Sequence, residues 1–404
     1  MPTRAEALRF WLRLGFISSG GPAGQIAIMH REVVELRRWI DEAAFLRALN
    51  FCTLLPGPEA LQLAIYLGWR MHGVAGGLAA GLSFILPAAF LLLGLSFLYV
   101  AFGEVPAVQS AFAGLKAVVI AMILHAVWKL GRRALGSGLH VLIAAAALVA
   151  LVVLSVPFPL VVAVAGLAGL ALARSGPSPA AGSALAFPWR SLLVGLLLWL
   201  LPAVAVWTTL GPGSLHARVY GFFTQAALLT WGGAYAVLAY VNQALVESLQ
   251  WVTASQAVAG LALAETTPGP LIIVLQFMGF MAGWTQAGPL DPATSATLAA
   301  ALASYATFLP SFVFIFVGAP YVERLTSNAR LAGALGAVTA VAVAAIASVA
   351  IGFGRAVLLP EGVGHFRWPL AVLALIALAV LTRTRVASHW VIPAGATAGW
   401  LLEL

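Results

Sequence analysis

The sequence predicts an all-α polytopic membrane protein, built as an inverted-topology repeat of two homologous halves. Three observations support this prediction. The chain of 404 residues is 62% hydrophobic and only 8% charged, whereas a soluble domain carries about 25% charged residues. Long apolar runs such as 139–156 favour helices over the short alternating segments of a β-barrel. The tripeptide Pro56-Gly57-Pro58 recurs as Pro268-Gly269-Pro270, which indicates an internal duplication.

The duplication keeps one register along the chain. The two tripeptides are 212 residues apart, and other landmarks repeat at that spacing: Gly20-Gly21 with Gly232-Gly233, and Trp39 with Trp251. Further on, Leu86-Pro87 matches Leu309-Pro310 at a spacing of 223. The second half has extra residues in the loop 283–293, which accounts for the longer spacing.

The first half begins with two broken apolar segments. Residues 8–30 are interrupted at Gly20-Gly21-Pro22-Ala23-Gly24, and residues 40–69 at Leu55-Pro56-Gly57-Pro58. The pieces beside each break have about 10–18 residues, too few to cross a hydrocarbon core of about 30 Å. We expect re-entrant hairpins here, or kinked spans. Full spans are then predicted at 74–102, 107–130, 139–156 and 158–173.

The second half repeats this order after a linker at 174–188 and one unpaired span at 189–209. The broken segments 217–246 and 249–284 come first. They are followed by spans at 294–318, 329–353, 369–382 and 389–403. The sequence thus predicts about 13 hydrophobic segments. Its domains are a first half at 1–174, a connecting region with the unpaired span at 175–215, and an inverted second half at 216–404.

Basic residues indicate how the halves are oriented. Cytoplasmic loops are enriched in Lys and Arg. If one extra membrane span connects the halves, the second half is inverted and most Lys and Arg residues of the loops fall on one side of the membrane. The residues assigned to the cytoplasm are Arg31, Arg37, Arg38, Arg70, Lys129, Arg132, Arg133, Arg174, Arg190, Arg324, Arg330, Arg383 and Arg385. Arg355 and Arg367 are the exceptions. The N-terminus is therefore predicted to be cytoplasmic, and the second half inverted.

The net charge of +8 is explained by this topology. The sequence has no basic block with interleaved aromatic residues, so a nucleic-acid partner is set aside. No Walker motif is present, so ATP is not the direct energy source. The histidines form no spaced ligand set with acids or cysteine, so no metal and no cofactor are predicted. An intramembrane enzyme needs a clustered acid–base set, but the acidic and histidine candidates are scattered.

The two Pro-Gly-Pro breaks form the predicted binding site. Proline suits the first turn of a helix, so Pro58 and Pro270 are predicted to start helices. Helix N-termini carry partial positive charge and open N–H donors, which suit an anion. Inversion would place the two starts opposite each other around one pocket. The alternative, that each turn only ends a helix, is weakened by the paired placement.

Polar side chains near the breaks extend this site. A carboxylate within a membrane is costly and usually functional, so Glu59 is expected to cap its helix, to gate or to couple protons. Lys116 lies mid-span and is expected to contact the ligand, to pair with Glu59 or Glu265, or to snorkel. The predicted substrate-binding and translocation residues are Gly20, Gly21, Pro22, Gly24, Gln25, Asn50, Pro56, Gly57, Pro58, Glu59, Gln62, Lys116, Gly232, Gly233, Thr266, Thr267, Pro268, Gly269, Pro270 and Gln276. The candidates for coupling are Glu59, Glu265 and His30.

Several of these motifs resemble the long-chain, two-domain chromate ion transporters of the CHR family. They are Gly20-Gly21-Pro22-Ala23-Gly24-Gln25, Leu55-Pro56-Gly57-Pro58-Glu59-Ala60 and Thr267-Pro268-Gly269-Pro270-Leu271. One position departs: Trp231 stands where these proteins often have phenylalanine before Gly-Gly. The resemblance implies secondary transport of chromate out of the cell across the bacterial inner membrane, conferring chromate resistance, with sulfate as the related oxyanion.

The energy source, whether membrane potential, proton exchange or anion exchange, is left open by the sequence. The competing hypothesis is a sulfate or other oxyanion importer or exchanger on the same scaffold. The predicted partners are a small oxyanion and the lipid bilayer, with a homodimer as one candidate oligomeric state.

Overall fold

The structure, a computed structural model, describes residues 2–18, 21–173, 187–229, 234–322, 329–362, 364–384, 386 and 388–403, and this part of the chain is helical without strands. The first-half helices are α1 Arg4–Ile17, α2 Gly21–His30, α3 Glu42–Thr53, α4 Glu59–Phe102, α5 Pro106–Ala134, α6 Gly138–Val152 and α7 Phe158–Leu172. Next come α8 Trp189–Leu210, α9 Leu215–Leu228, α10 Ala234–Asn242, α11 Ala254–Thr266, α12 Val274–Thr285, α13 Pro292–Gly318, α14 Ala329–Leu358, α15 Trp368–Arg383 and α16 Ser388–Leu401.

Five of the described helices are long and apolar enough to cross a membrane. They are Glu59–Phe102, Pro106–Ala134, Trp189–Leu210, Pro292–Tyr321 and Arg330–Leu358. Shorter apolar helices include Gly138–Val152, Phe158–Leu172, Leu271–Thr285 and Trp368–Arg383. The prediction of an all-helical fold is therefore confirmed, and the long apolar helices are consistent with a multi-pass membrane protein. The inverted repeat and the count of 13 segments stay predictions.

Helix α4 is in fact two helices. Its 44 residues contain a sharp bend where His72 and Gly73 leave helical geometry, with Gly73 at φ +63°. Gly68 and Gly76, on either side of the bend, lie close enough that a β-carbon on Gly76 would meet the backbone of Gly68. The chain thus reverses at residue 73, and the long span predicted at 74–102 is the second arm of this hairpin.

The backbone repeats its irregularities at the spacing found in the sequence. Helix α2 runs on into the π-helical turn Arg31–Leu36, and α10 into the π-helical turn Gln243–Ser248. Each turn is followed by a non-glycine residue in the left-handed region, Arg38 at φ +51° and Gln250 at φ +52°. Such residues are uncommon, so their recurrence 212 positions apart shows that the duplication extends to backbone geometry.

The second arm of α4 packs against α13, which is its equivalent in the second half. A β-carbon on Gly77 would lie 2.6 Å from the Phe316 ring, and one on Gly81 would lie 2.5 Å from the Phe312 ring. Residue numbers rise along α4 as they fall along α13, so this equivalent pair is antiparallel.

One long helix of each half also packs against helices of the other half. Helix α5 of the first half packs against α15 and α16 of the second, and α14 of the second packs against α6 and α7 of the first. Glycines permit the closest approaches: Gly114 meets Gly399, and Gly169 meets Gly333. Small residues let membrane helices approach backbone to backbone, so the halves are interlocked rather than merely adjacent.

Filling the α5–α16 contact is expected to reduce the amount of folded protein. Replacing Gly114 with valine would put side-chain carbon within 2.8 Å of the Gly399 backbone, and overpacking typically costs about 1–3 kcal/mol. The measurement is yield and thermal stability of the purified protein. Gly94→Val is the control, since nothing lies within 4 Å of a β-carbon at Gly94. Equal stability of the two variants would contradict the interlocked packing.

The unpaired helix α8 lies on the rim of the molecule. Its outward face carries exposed leucines, including Leu193, Leu197 and Leu201, as expected for contact with lipid. On its inner face, Gly195 contacts Val313, and the Tyr305 hydroxyl of α13 donates to the Leu198 carbonyl at 2.9 Å. Helix α8 therefore flanks the core that holds the two Pro-Gly-Pro turns without entering it.

Candidate functional site

Both Pro-Gly-Pro turns have the backbone geometry that requires glycine. Gly57 has φ +124° and Gly269 has φ +106°, and L side chains rarely adopt such values. Helix α4 begins at Glu59, directly after the first turn. At the second turn, a short 3₁₀ turn Leu271–Ile273 precedes α12. The chain thus turns into a helix after each second proline.

The helices beside each turn fold back on one another. Across the first turn, the Phe51 and Tyr66 rings lie with centroids 5.9 Å apart. Across the second, a β-carbon on Gly260 would lie 2.9 Å from a ring atom of Phe277. Each turn is therefore the tip of a helical hairpin.

The starts of these two hairpin arms differ from other helix starts. Many helices here begin with a side-chain cap, provided by Thr3, Asp41, Ser137, Ser214, Thr253 and Asp291. Pro58 and Pro270 provide none, although both are buried. Among the other starts described without a side-chain cap, Val105, Pro157, Pro188 and Arg367 are exposed or half-buried. The first N–H groups of a helix have no intrahelical partner, so the two turns present donors and partial positive charge inside the protein.

The first turn is surrounded by polar groups from both halves. Gln62 Nε2 donates to the Pro56 carbonyl at 2.6 Å. A β-carbon on Gly57 would lie 2.6 Å from Gln62 Nε2 and 2.9 Å from Ser311 Oγ. Gln62 Oε1 and Ser311 Oγ are both buried without a hydrogen-bond partner. Since unpaired buried polar atoms are unfavourable, these two groups point to a ligand.

The second turn is held by the first glycine break. The Gly269 N–H donates to the Ser18 carbonyl at 2.7 Å, and Gln25 Nε2 donates to the Gly269 carbonyl at 2.5 Å. The Thr267 hydroxyl bonds back to Ala264 at 2.8 Å, and Thr266 bonds back to Leu263 at 2.6 Å. These contacts bring the predicted residues Gln25, Thr267 and Gly269 together as a structural joint between the halves.

Gln276 forms a second joint. Its Nε2 donates to the Ala89 carbonyl at 2.7 Å, and its Oε1 accepts from the Ser304 hydroxyl at 2.9 Å. Both ends of this amide therefore tie α12 to neighbouring helices, which places Gln276 in the packing between α4 and α13.

The two carboxylates that the sequence assigned to the site lie at different turns. Glu59 is half-buried in the first turn of α4, beside the first Pro-Gly-Pro turn. Glu265 is buried near the end of α11, just before the second turn. Asn50 is exposed near the end of α3, where its carbonyl accepts from the Thr53 hydroxyl at 2.8 Å. Asn50 therefore contributes its backbone to α3 rather than its amide to the first turn.

Lys116 is not brought to the turns. Its Nζ donates to Ser255 Oγ at 2.7 Å, at the start of α11. Ser255 and Glu265 are ten residues apart on one helix, so at 1.5 Å per residue they are about 15 Å apart. The described partner of Lys116 is thus Ser255 rather than Glu59 or Glu265. Lys116 meets α11 at the start of that helix, whereas the second turn follows the end of it.

His30 also lies away from the first turn. Its Nε2 is 2.7 Å from a Glu42 oxygen and its Nδ1 is 3.2 Å from a Glu35 oxygen, both on exposed side chains. Glu42 begins α3, whose opposite end leads into the turn about 16 Å away. His30 thus belongs to an acidic surface cluster.

The glycine breaks are only partly within the described residues. Gly21 has φ +70°, and Pro22 and Gly24 lie in the first turns of α2. The predicted Gly20, Gly232 and Gly233 lie outside the described part of the chain.

Sequence reasoning missed Ser18 and Ser311. Ser311 directly follows Pro310, whose counterpart in the first half is Pro87. The residue after Pro87 is Ala88, so the duplication itself marks position 311 as the place where one half is polar and the other apolar. That difference was the available signal.

The chain resembles proteins of known description along nearly its whole length. The sequence pattern of the family described as chromate transporter matches residues 5–170 and 217–400. The chain belongs to the chromate transporter family. Each matched stretch of this family pattern contains one Pro-Gly-Pro turn.

Its similarity to relatives in the family is moderate and extensive. A chromate transport protein of Cupriavidus metallidurans is 29% identical over 98% of this chain and 92% of that protein. A chromate transport protein of Pseudomonas aeruginosa is 32% identical over 97% of this chain and 91% of that protein. A probable chromate transport protein of Synechococcus elongatus is 29% identical over 87% and 84%. No solved structure matches. The resemblance expected from the motifs is confirmed.

For this chromate transporter family member, the placement of Lys116 yields a prediction. Lys116→Gln keeps a donor for Ser255 but removes the charge, and we expect chromate transport to stay within about threefold of the unaltered protein. The measurement is initial rate against chromate concentration in vesicles. Ser255→Ala is the matched variant on the partner side. A tenfold loss of apparent affinity in Lys116→Gln, absent from Ser255→Ala, would show that Lys116 contacts the substrate.

Proposed function

We propose that the protein exports chromate across the bacterial inner membrane. The observation that carries this proposal is the first Pro-Gly-Pro turn, where a buried and uncapped helix start meets two buried polar atoms without partners. Helix N-termini bind anions through backbone N–H groups and the helix dipole. Broken helices whose N-termini face the substrate are typical of secondary transporters for anionic groups.

The two halves, 1–174 and 216–404, are proposed to have opposite orientations in the membrane, connected through 175–215. Two features support this arrangement. Equivalent helices α4 and α13 are antiparallel where they touch, as a two-fold axis in the membrane plane requires. The clustering of basic residues on one side of the predicted topology favours the same orientation, with the N-terminus in the cytoplasm.

Export is also the energetically favourable direction for a dianion. Each charge moved across a membrane potential is worth about 2.3 kcal/mol per 100 mV. Two negative charges leaving an inside-negative cell therefore gain about 4.6 kcal/mol per 100 mV. An exporter needs no further coupling, whereas an importer of the dianion needs a driving ion. Exchange against entering protons would add to this driving force, whereas exchange against an entering anion would offset part or all of its electrical component.

The test is chromate uptake into inside-out membrane vesicles, in which export appears as accumulation. An imposed potential, positive inside the vesicle, should drive chromate in, and collapsing the potential should stop uptake. Vesicles from cells that lack the protein are the control. If chromate does not accumulate and sulfate exchanges for an internal anion instead, the protein is an anion exchanger and the export proposal is wrong.

A further inference from the structure

The two Pro-Gly-Pro turns have equivalent backbones but differ in polarity at three equivalent positions. Around the first turn lie a carboxylate, an amide and a hydroxyl, whereas apolar side chains occupy the equivalent positions around the second. The equivalent pairs are Glu59 with Leu271, Gln62 with Val274, and Ser311 with Ala88. The first two pairs follow the 212-residue spacing, and the third follows the 223-residue spacing of the neighbouring prolines.

The packing around the turns is equivalent as well. A β-carbon on Gly57 would lie 2.9 Å from Ser311 Oγ, and one on Gly269 would lie 2.6 Å from Ala88 Cβ. Each turn therefore rests on the long helix of the other half, one residue beyond its proline. The same geometry offers a hydroxyl at one turn and a methyl group at the other.

The polar atoms at the first turn are placed for a ligand. The Gln62 amide orientation is fixed, because its Nε2 donates to the Pro56 carbonyl. Its Oε1 and the Ser311 hydroxyl remain buried without partners, next to the uncapped start of α4. The Ser311 hydroxyl and the free backbone N–H groups are donors that suit an oxyanion, and a water molecule beside such a ligand can donate to Gln62 Oε1.

The second turn offers fewer open groups, although Ser18 Oγ beside it is also buried without a hydrogen-bond partner. Both backbone polar groups of Gly269 are already bonded, to Ser18 and Gln25. Leu271 and Val274 are buried apolar residues, and Ala88 has no polar side-chain atom. This turn therefore serves mainly as the joint between the halves that its hydrogen bonds to Ser18 and Gln25 form.

We infer that the transporter has a single oxyanion site at the first Pro-Gly-Pro turn, and that Ser311, supplied by the other half, is a direct substrate ligand. This inference rests on the proposed chromate transport and narrows it: the two turns do not share the substrate equally. Because Ser311 belongs to the second half and Pro56-Gly57-Pro58 to the first, the site is complete only when both halves are assembled.

The test is equilibrium dialysis of chromate and of sulfate against the purified full-length protein. Ser311→Ala should weaken chromate binding about tenfold or more, the range for losing a hydrogen bond to a charged group. The mirrored substitution Ala88→Ser should leave it unchanged. Ser304→Ala, which breaks the α13 hydrogen bond to Gln276, should also leave it unchanged. This variant controls for a general loosening of α13.

A second pair of variants separates loss of the hydroxyl group from misfolding. Ser311→Thr and Ser311→Val have the same shape and differ in the hydroxyl group, so the threonine variant should bind at least tenfold more tightly than the valine variant. If the unaltered protein binds neither anion, the proposed function fails. If it binds chromate and the Ser311 variants bind equally well, or if Ala88→Ser alters binding as much as Ser311→Ala, the single site at the first turn is wrong.

Discussion

Replacing Gly57 with alanine is expected to abolish chromate transport while leaving the protein folded. A β-carbon at this position would lie 2.6 Å from Gln62 Nε2 and 2.9 Å from Ser311 Oγ, so it would occupy the proposed site. The backbone at φ +124° adds strain of about 1–3 kcal/mol. The atoms in the way are ends of side chains, which can move aside, so the loss should appear in transport rather than in protein yield. The measurements are uptake into inside-out vesicles and thermal stability.

The equivalent substitution at the second turn is the informative control. Gly269→Ala has comparable backbone strain, at φ +106°, but its β-carbon would meet Ala88 Cβ at 2.6 Å and the Phe84 carbonyl at 3.3 Å. These are rigid parts of α4, so we expect a lower yield of folded protein. Whatever protein folds should bind chromate with little change. Loss of binding in a well-folded Gly269→Ala protein, together with normal transport by Gly57→Ala, would reverse the assignment of the two turns.

Replacing Glu59 with glutamine is expected to change the pH dependence of transport. Glu59 lies in the first turn of α4, beside the proposed site, where its carboxylate would repel an anion. Two like charges about 5 Å apart repel by about 3 kcal/mol at an effective dielectric constant of about 20. Chromate should therefore bind best when Glu59 is protonated, and transport should fall as the pH rises. The glutamine variant lacks this repulsion, so its rate relative to the unaltered protein should increase with pH.

The ratio of the two rates is the quantity to measure. The protonation of chromate itself affects both rates equally, so its effect drops out of the ratio. Glu59→Asp, which keeps the negative charge, should follow the pH profile of the unaltered protein. Parallel profiles for Glu59→Gln and the unaltered protein would exclude this role. A glutamine variant that is inactive at every pH would show that Glu59 has a direct task in the transport cycle.

The sequence was sufficient for the helical class, the duplicated turns and the family, because each depends on local patterns. Long apolar runs mark spans, and Pro-Gly-Pro marks a helix break wherever it occurs. The predicted spans at 107–130 and 189–209 fall within α5 and α8. The bend at His72 was less visible, since Gly73 is one glycine among many in an apolar stretch.

The contacts between the halves could not be predicted in the same way. The partner of Lys116 depends on where α5 crosses α11, and the sequence does not specify that crossing. The pairing of Ser311 with Gly57 likewise depends on how the two halves dock. The repeat register did contain a hint, since Ala88 and Ser311 are equivalent positions with different polarity, but this difference gains meaning only when both are seen to face a Pro-Gly-Pro turn.

The exchange of long helices between the halves has a consequence for how the protein is made. Helix α5 is synthesised well before α15 and α16, which cover it. The face of α5 around Gly114 therefore stays uncovered until Gly399, nearly 300 residues later, has been synthesised. Domains usually fold as units during synthesis, but here the first half reaches its final packing only once the second half is inserted. Loss of α16 would consequently damage the first half, although every residue of the first half would still be present.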